Sequence, residues 1–95
     1  MKHLEVILYD KDLSPEGLTG LIKKLEKAAE SRPALILLNM SSVTHINSGA
    51  IGVIIRKHKD LQLDNGSIAV TGLKENISRI CENSGLFKIV SNHTE

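Results

Sequence analysis

The stretch that most restricts the fold of this chain is His45 to Ile55, HINSGAIGVII, a polar, glycine-bearing loop that runs straight into an apolar-periodic segment. Upstream of it, Ala34 to Asn39 (ALILLN) is a nearly continuous apolar run, which suits a strand buried on both faces better than an amphipathic helix. Downstream, Ile51, Ile54, Ile55, His58 and Leu61 recur at helical spacing. The loop therefore joins the carboxyl end of a strand to the amino end of a helix, where the first backbone N–H groups lack helical partners and carry partial positive charge. Ser48 stands where that charge is. A hydroxyl there either caps the helix or carries a phosphate that the helix end helps to stabilise.

The rest of the chain repeats the same rhythm. Leu4 to Tyr9 reads as a strand with Val6, Ile7 and Leu8 as its apolar core, and Asp10 to Leu13 as a turn. Ser14, Pro15 and Glu16 form a helix-start signature: a capping side chain, a proline whose missing N–H costs nothing at the first position, and an acid in the first turn. Leu18, Leu21, Ile22, Leu25, Ala28 and Ala29 then make one apolar stripe with the charged residues outside it, and Arg32 and Pro33 stop that helix. Asp64, Asn65 and Gly66 end the second helix with turn chemistry, and Ser67 to Thr71 is a third strand. Gly72 leads into a third helix over about Lys74 to Ser84, with Ile77, Ile80 and Cys81 inward. Gly85 sits where a left-handed C-terminal cap takes glycine, and Lys88 to Ser91 gives a short fourth strand. Strand followed by helix, three times over, predicts a single small α/β domain over residues 1–95, a mostly parallel four-stranded sheet with about three covering helices.

HINSGAIGVI, together with NSGLFKIV (Asn83 to Val90), resembles the STAS domain of bacterial anti-sigma-factor antagonists. In that family a loop of the form Asp-Ser-Ser-Gly-Leu-Gly opens a helix, and its first serine is phosphorylated by a partner kinase. Laid on this chain, the phospho-acceptor is Ser48 and the apolar-glycine pair is Ile51 and Gly52. Three positions depart: Asn47 stands where the family has Asp, Gly49 where it has the second Ser, and Ala50 where it has Gly. The departures bear on phosphorylation and not on the fold. The resemblance runs from about Val6 to Val90, and measured against it the chain lacks the family's first strand and last helix, leaving an exposed sheet edge and an apolar patch. It implies a non-catalytic module that docks a serine kinase or anti-sigma factor, and in some settings a phosphatase, through His45, Ile46, Asn47, Ser48, Gly49, Ala50, Ile51 and Gly52. Soluble proteins hide such an edge and patch, so self-association as a homodimer, or an obligate partner, is expected. The alternative is a STAS-like subunit that is never phosphorylated and belongs to a larger assembly such as a lipid-transport ATPase, whose Thr-Gly-Gly loop also has glycine after the hydroxyl residue.

Composition narrows the partners. With 95 residues there is room for one domain. Tyr9 and Phe87 are the only aromatic residues, so there is no row of rings on which bases stack, and a formal charge of +1 gives no electrostatic grip on a phosphate backbone. Nucleic acid is therefore not an expected partner. The single cysteine, Cys81, forms no internal disulfide, and no charged-then-apolar leader precedes the first strand, which together predict a reducing cytoplasm. No apolar run approaches the ~20 residues of a membrane span, so a soluble chain is expected.

Reactive constellations are sparse. No Gly-Lys-Ser/Thr follows the glycines at 49 and 52, there is no Gly-x-Ser-x-Gly elbow, and His3, His45, His58 and His93 lack paired metal-ligand spacing. His45 precedes Ser48 by three residues, but a Ser-His pair without a third orienting group is weak support for nucleophilic catalysis. Neither an enzyme nor a cofactor is expected. His58 reads as a hydrogen-bonded packing residue and Cys81 as a small core hydrophobe. Arg56, Lys57, His58 and Lys59 make the second helix basic, mostly as solvent-facing charge.

Overall fold

The computed structural model describes residues 4–9, 13 and 15–93. Their order is β1 (Leu4–Leu8), α1 (Pro15–Ala29), β2 (Leu35–Asn39), α2 (Ser48–Gln62), β3 (Ser67–Thr71), α3 (Glu75–Asn83), a 3-10 turn (Leu86–Lys88) and β4 (Ser91–Asn92). The strands form one sheet in the order β1-β2-β3-β4, and every neighbouring pair is parallel. Because each crossover steps one strand in the same direction and such crossovers are right-handed, the helices gather on one face of the sheet.

The burial pattern agrees. Ile7, Ile36, Leu38, Ile68 and Val70, alternate residues of successive strands, are buried in one cluster with Leu21 and Leu25 of α1, Ile54 and Leu61 of α2, and Ile77 and Cys81 of α3. Each such aliphatic side chain contributes roughly 1.5–3 kcal/mol when taken out of water. Tyr9, just past β1, is also buried. Its hydroxyl donates to the carbonyl of Gly17, and the Lys24 ammonium stands 5.5 Å from its ring centroid, so one aromatic residue fixes α1 over the end of the first strand.

The opposite face of the sheet differs from the sequence expectation. Val6 and Leu8 are not core residues: with Leu4 they are 58%, 57% and 54% exposed, because among the described residues no helix covers their side of an edge strand. Leu35 and Leu37, in register with Leu4 and Val6, are half-buried, so β2 is fully buried on one face only. Ile80 also points outward, one residue before buried Cys81 on the α3 surface. The fourth strand shrinks to Ser91–Asn92, since Lys88 closes the 3-10 turn that follows Gly85. Gly85 itself has the left-handed conformation expected of it, at φ 84. α1 begins at Pro15 as expected, while Ser14 and the turn at 10–12 lie outside the described residues.

Candidate functional site at the start of the second helix

The loop between β2 and α2 is fastened at three places before it reaches Ser48. Met40 and Val43 are fully buried, with the Met40 N–H donating to the Thr71 carbonyl at 2.9 Å. Further along, Leu13 forms an isolated parallel bridge with Ile46: its N–H donates to His45 O at 2.8 Å and its carbonyl accepts from Asn47 N–H at 3.1 Å. From the other side, Asn76 Nδ2 of α3 donates to Thr44 O at 3.3 Å. The crossing of this loop over β3 also requires Gly72. At φ 72 it occupies the left-handed region, and a Cβ there would lie 3.0 Å from Asn39 Oδ1 and 3.1 Å from Ser41 Cβ.

The helix that follows is capped by Asn47 and not by Ser48. Asn47 is extended (φ -124, ψ 173), its Oδ1 accepts from the Ala50 N–H at 2.9 Å, and its carbonyl accepts from the Ile51 N–H at 3.3 Å. Asparagine is among the preferred caps, so the signal was available in the sequence. Ser48 is therefore the first helical residue, exposed, with its hydroxyl released from capping. Of the other residues in this stretch, His45 and Gly49 are exposed, Ile46, Asn47 and Gly52 are half-buried, and Ala50 and Ile51 are buried in the core. The last two hold the helix against the sheet and offer no surface to a partner. Gly49 is close to its neighbours, since a Cβ there would stand 3.2 Å from Asn47 Oδ1 and 3.5 Å from Leu18 Cδ2, whereas a Cβ on Gly52 would meet nothing within 4 Å.

The electrostatics favour an anion at this end. The first turn of α2 carries no acidic side chain and its last turn carries Lys59, so the positive helix amino terminus is not offset by a carboxylate of its own turn. The basic cluster is smaller than its sequence suggests. Lys57 Nζ lies 3.9 Å from Glu26 Oε1, and His58 is buried, its Nδ1 accepting from the Ile68 N–H at 3.0 Å. Burial lowers the His58 pKa from its usual 6.5 and pushes the buried Cys81 thiol up to about 11. His45 Nδ1 is 3.0 Å from Thr44 Oγ1. Among the described residues no group of histidine, cysteine and acidic side chains is arranged to hold a metal, and no helix is long and apolar enough to cross a membrane.

Asparagine's preference for the cap position is visible in the sequence, but the sequence reading places the cap one residue late, at Ser48. The Leu13–Ile46 bridge and the Asn76 contact are not visible there, because each joins segments far apart in the chain through one or two hydrogen bonds that leave no periodic trace.

Comparison with known proteins follows the same geometry. The family model described as STAS domain matches residues 16–95. Among solved structures, a Thermotoga maritima protein named as a candidate anti-sigma factor antagonist is similar with a TM-score of 0.80 at 24% identity, covering 97% of this chain and 79% of that one. The unphosphorylated anti-sigma factor antagonist SpoIIAA, a Bacillus protein, superposes with a TM-score of 0.79 at 17% identity, covering 100% of this chain and 84% of its own. A sulfate transporter family protein from Wolinella succinogenes gives 0.73 at 11% identity over 90% of this chain and 69% of that one. At these identities the likeness is one of fold.

Proposed function

Because this chain belongs to the STAS domain family, we propose that it is a non-catalytic regulatory module of the anti-sigma-factor antagonist type, a single domain over 1–95 that works in the bacterial cytoplasm. It docks a protein partner, a serine kinase or anti-sigma factor, through the surface around Ser48. The observation that carries this reading is the exposed Ser48 hydroxyl at the first position of α2, left free of the capping role by Asn47. A phosphate on that hydroxyl adds ~2 negative charges beside a helix amino terminus that favours them, so the domain tolerates it. In a close-packed interface the same charge and bulk have no partner, and binding is lost. His45, Ile46, Ser48, Gly49 and Gly52 supply the contact surface, while Ala50 and Ile51 support it from the core. Gly52 fits this role. A glycine inside a helix costs roughly 0.5–1 kcal/mol relative to alanine, and nothing within the domain occupies the space a Cβ would fill, so the benefit of its missing side chain lies outside the domain.

Gly49 favours a second reading, in which the chain is an unphosphorylated STAS-like subunit of a larger assembly such as a lipid-transport ATPase, where glycine follows the hydroxyl residue of the loop. The two separate in one experiment: purification of the chain from the cells that make it, with mass spectrometry of both the chain and whatever accompanies it. Phosphate on Ser48 together with a kinase of the histidine-kinase-like type supports the antagonist reading. An unmodified Ser48 in a stable complex with an ATPase overturns it in favour of the second.

A further inference from the structure

The outer edge of β1 has no strand beside it among the described residues, and its chemistry matches a second copy of itself. The Tyr9 N–H donates to Asn39 O on β2, so with the period of two along a strand Ile7 and Glu5 also direct their backbone groups to β2. Leu4, Val6 and Leu8 then direct theirs to the open edge, and the Leu8 carbonyl accepts there from Lys24 Nζ at 3.4 Å. These same three residues carry the exposed apolar side chains of the strand. Beside the edge runs a groove of about 450 Å³ between β1 and α1, with Glu5 at one end and Lys24 at the other.

We propose that two copies of this chain pair antiparallel through β1, about a two-fold axis at Val6, to make one eight-stranded sheet. In that register Val6 opposes Val6 of the second copy, and Leu4 opposes its Leu8. Every edge-facing N–H and C=O of the strand then belongs to a hydrogen-bonded pair, and the exposed side chains form an unbroken apolar row across the seam. Charge selects the same arrangement. Glu5 lies toward the Ser31 end of the groove, 3.2 Å from Ser31 Oγ, and Lys24 toward the Leu8 end. Antiparallel pairing brings Glu5 of each copy opposite Ile7 of the other, next to that copy's Lys24, and the symmetry makes this ion pair twice. A parallel arrangement would leave the acids facing acids and would not close on itself. Long unpaired edges are surfaces that soluble proteins cover, and this contact covers both edges at once. The Ser48 loops, at the carboxyl ends of the strands, emerge at opposite ends of the joined sheet, so the dimer leaves both open. The pairing does not depend on the role proposed for Ser48.

Sedimentation equilibrium of the full chain at micromolar concentration tests the pairing, with the melting curve of each variant as a control on folding. The parent should be a dimer. Val6→Pro removes an N–H that faces the open edge and none that faces β2, and should raise the dimer dissociation constant at least about tenfold with the melt preserved. Glu5→Lys should do the same, and Glu5→Lys combined with Lys24→Glu should restore association to within about threefold of the parent. A parent that is monomeric throughout the micromolar range overturns the proposal, as does a folded Val6→Pro variant that dimerises like the parent. Should Val6→Pro fail to fold, the charge exchange decides alone: a double variant no tighter than Glu5→Lys overturns the pairing.

Discussion

The side chain of Asn47 closes the first turn of α2 by accepting the backbone N–H of Ala50 at 2.9 Å, one residue before the exposed Ser48. That relationship divides two tasks between neighbouring residues: Asn47 holds the helix and Ser48 meets the outside.

The cap has a measurable worth. Asn47→Ala should lower stability by about 1 kcal/mol in urea unfolding, the usual cost of losing such a cap, while Asn47→Asp keeps the acceptor and places a negative charge at the positive helix end, leaving stability equal or higher. The same Asp should speed phosphorylation of Ser48 by a cognate kinase, because a carboxylate positions a neighbouring donor more strongly than a neutral amide does. An Asn47→Ala variant as stable as the parent would show that the hydrogen bond is not contributing, and unchanged modification kinetics for Asn47→Asp would show that the acid is not what the kinase reads.

Two glycines should respond to alanine with opposite signs. A Cβ at Gly52 meets nothing within 4 Å, so Gly52→Ala should stabilise the domain by about 0.5–1 kcal/mol. At Gly66 the added atom would sit 2.7 Å from the Pro33 carbonyl oxygen, which is backbone and cannot swing aside, so Gly66→Ala should destabilise by more than that amount. Thermal melts of the two variants check the pair. Under the docking proposal, Gly52→Ala also weakens partner binding while raising the melting temperature.

His58 links stability to pH. Its Nδ1 accepts the Ile68 N–H, so the folded protein needs the neutral ring, and burial lowers its pKa below the 6.5 of the unfolded chain. Above that value both states hold a neutral ring and the stability is fully present. As pH falls through it, the unfolded chain binds a proton the folded one resists, and stability drops by up to about 1.4 kcal/mol per pH unit until the folded-state pKa is reached. Urea midpoints measured at successive pH values below neutrality should therefore decline for the parent and decline less for His58→Gln, whose amide oxygen can still accept from Ile68. Equal slopes for the two proteins would remove His58 as the cause.

The parallel sheet and its helices were legible because their signals are local and periodic: the stripe through Leu21 and Leu25, the spacing of Ile51, Ile54 and His58, the glycine at 85. The exposure of Val6, Leu8 and Ile80 was not legible residue by residue, since an apolar residue in a short run reads as core whether or not a neighbour covers it, and the covering element is a property of topology. For the same reason the fourth strand is shorter than its letters suggest. The apolar letters of Ile89 and Val90 suit a strand from Lys88, yet the left-handed Gly85 leads into a 3-10 turn over Leu86–Lys88 with Leu86 buried, and Val90 is buried just past it. Around Ser48 the loop-to-helix transition was visible in the letters, whereas the choice between Asn47 and Ser48 as cap depended on one residue of register.

The account turns on Ser48 as a docking residue whose charge state governs binding, and the affinity of Ser48→Asp for the partner recovered with the parent chain measures that most directly. The substitution sits on the surface at a helix end that favours anions, so stability should change by no more than about 0.5 kcal/mol, and Ser48→Ala should bind like the parent while accepting no phosphate. The account predicts that Ser48→Asp, folded and stable, loses at least about tenfold in affinity, or 1.4 kcal/mol. Binding by Ser48→Asp as tight as that of the parent would contradict it.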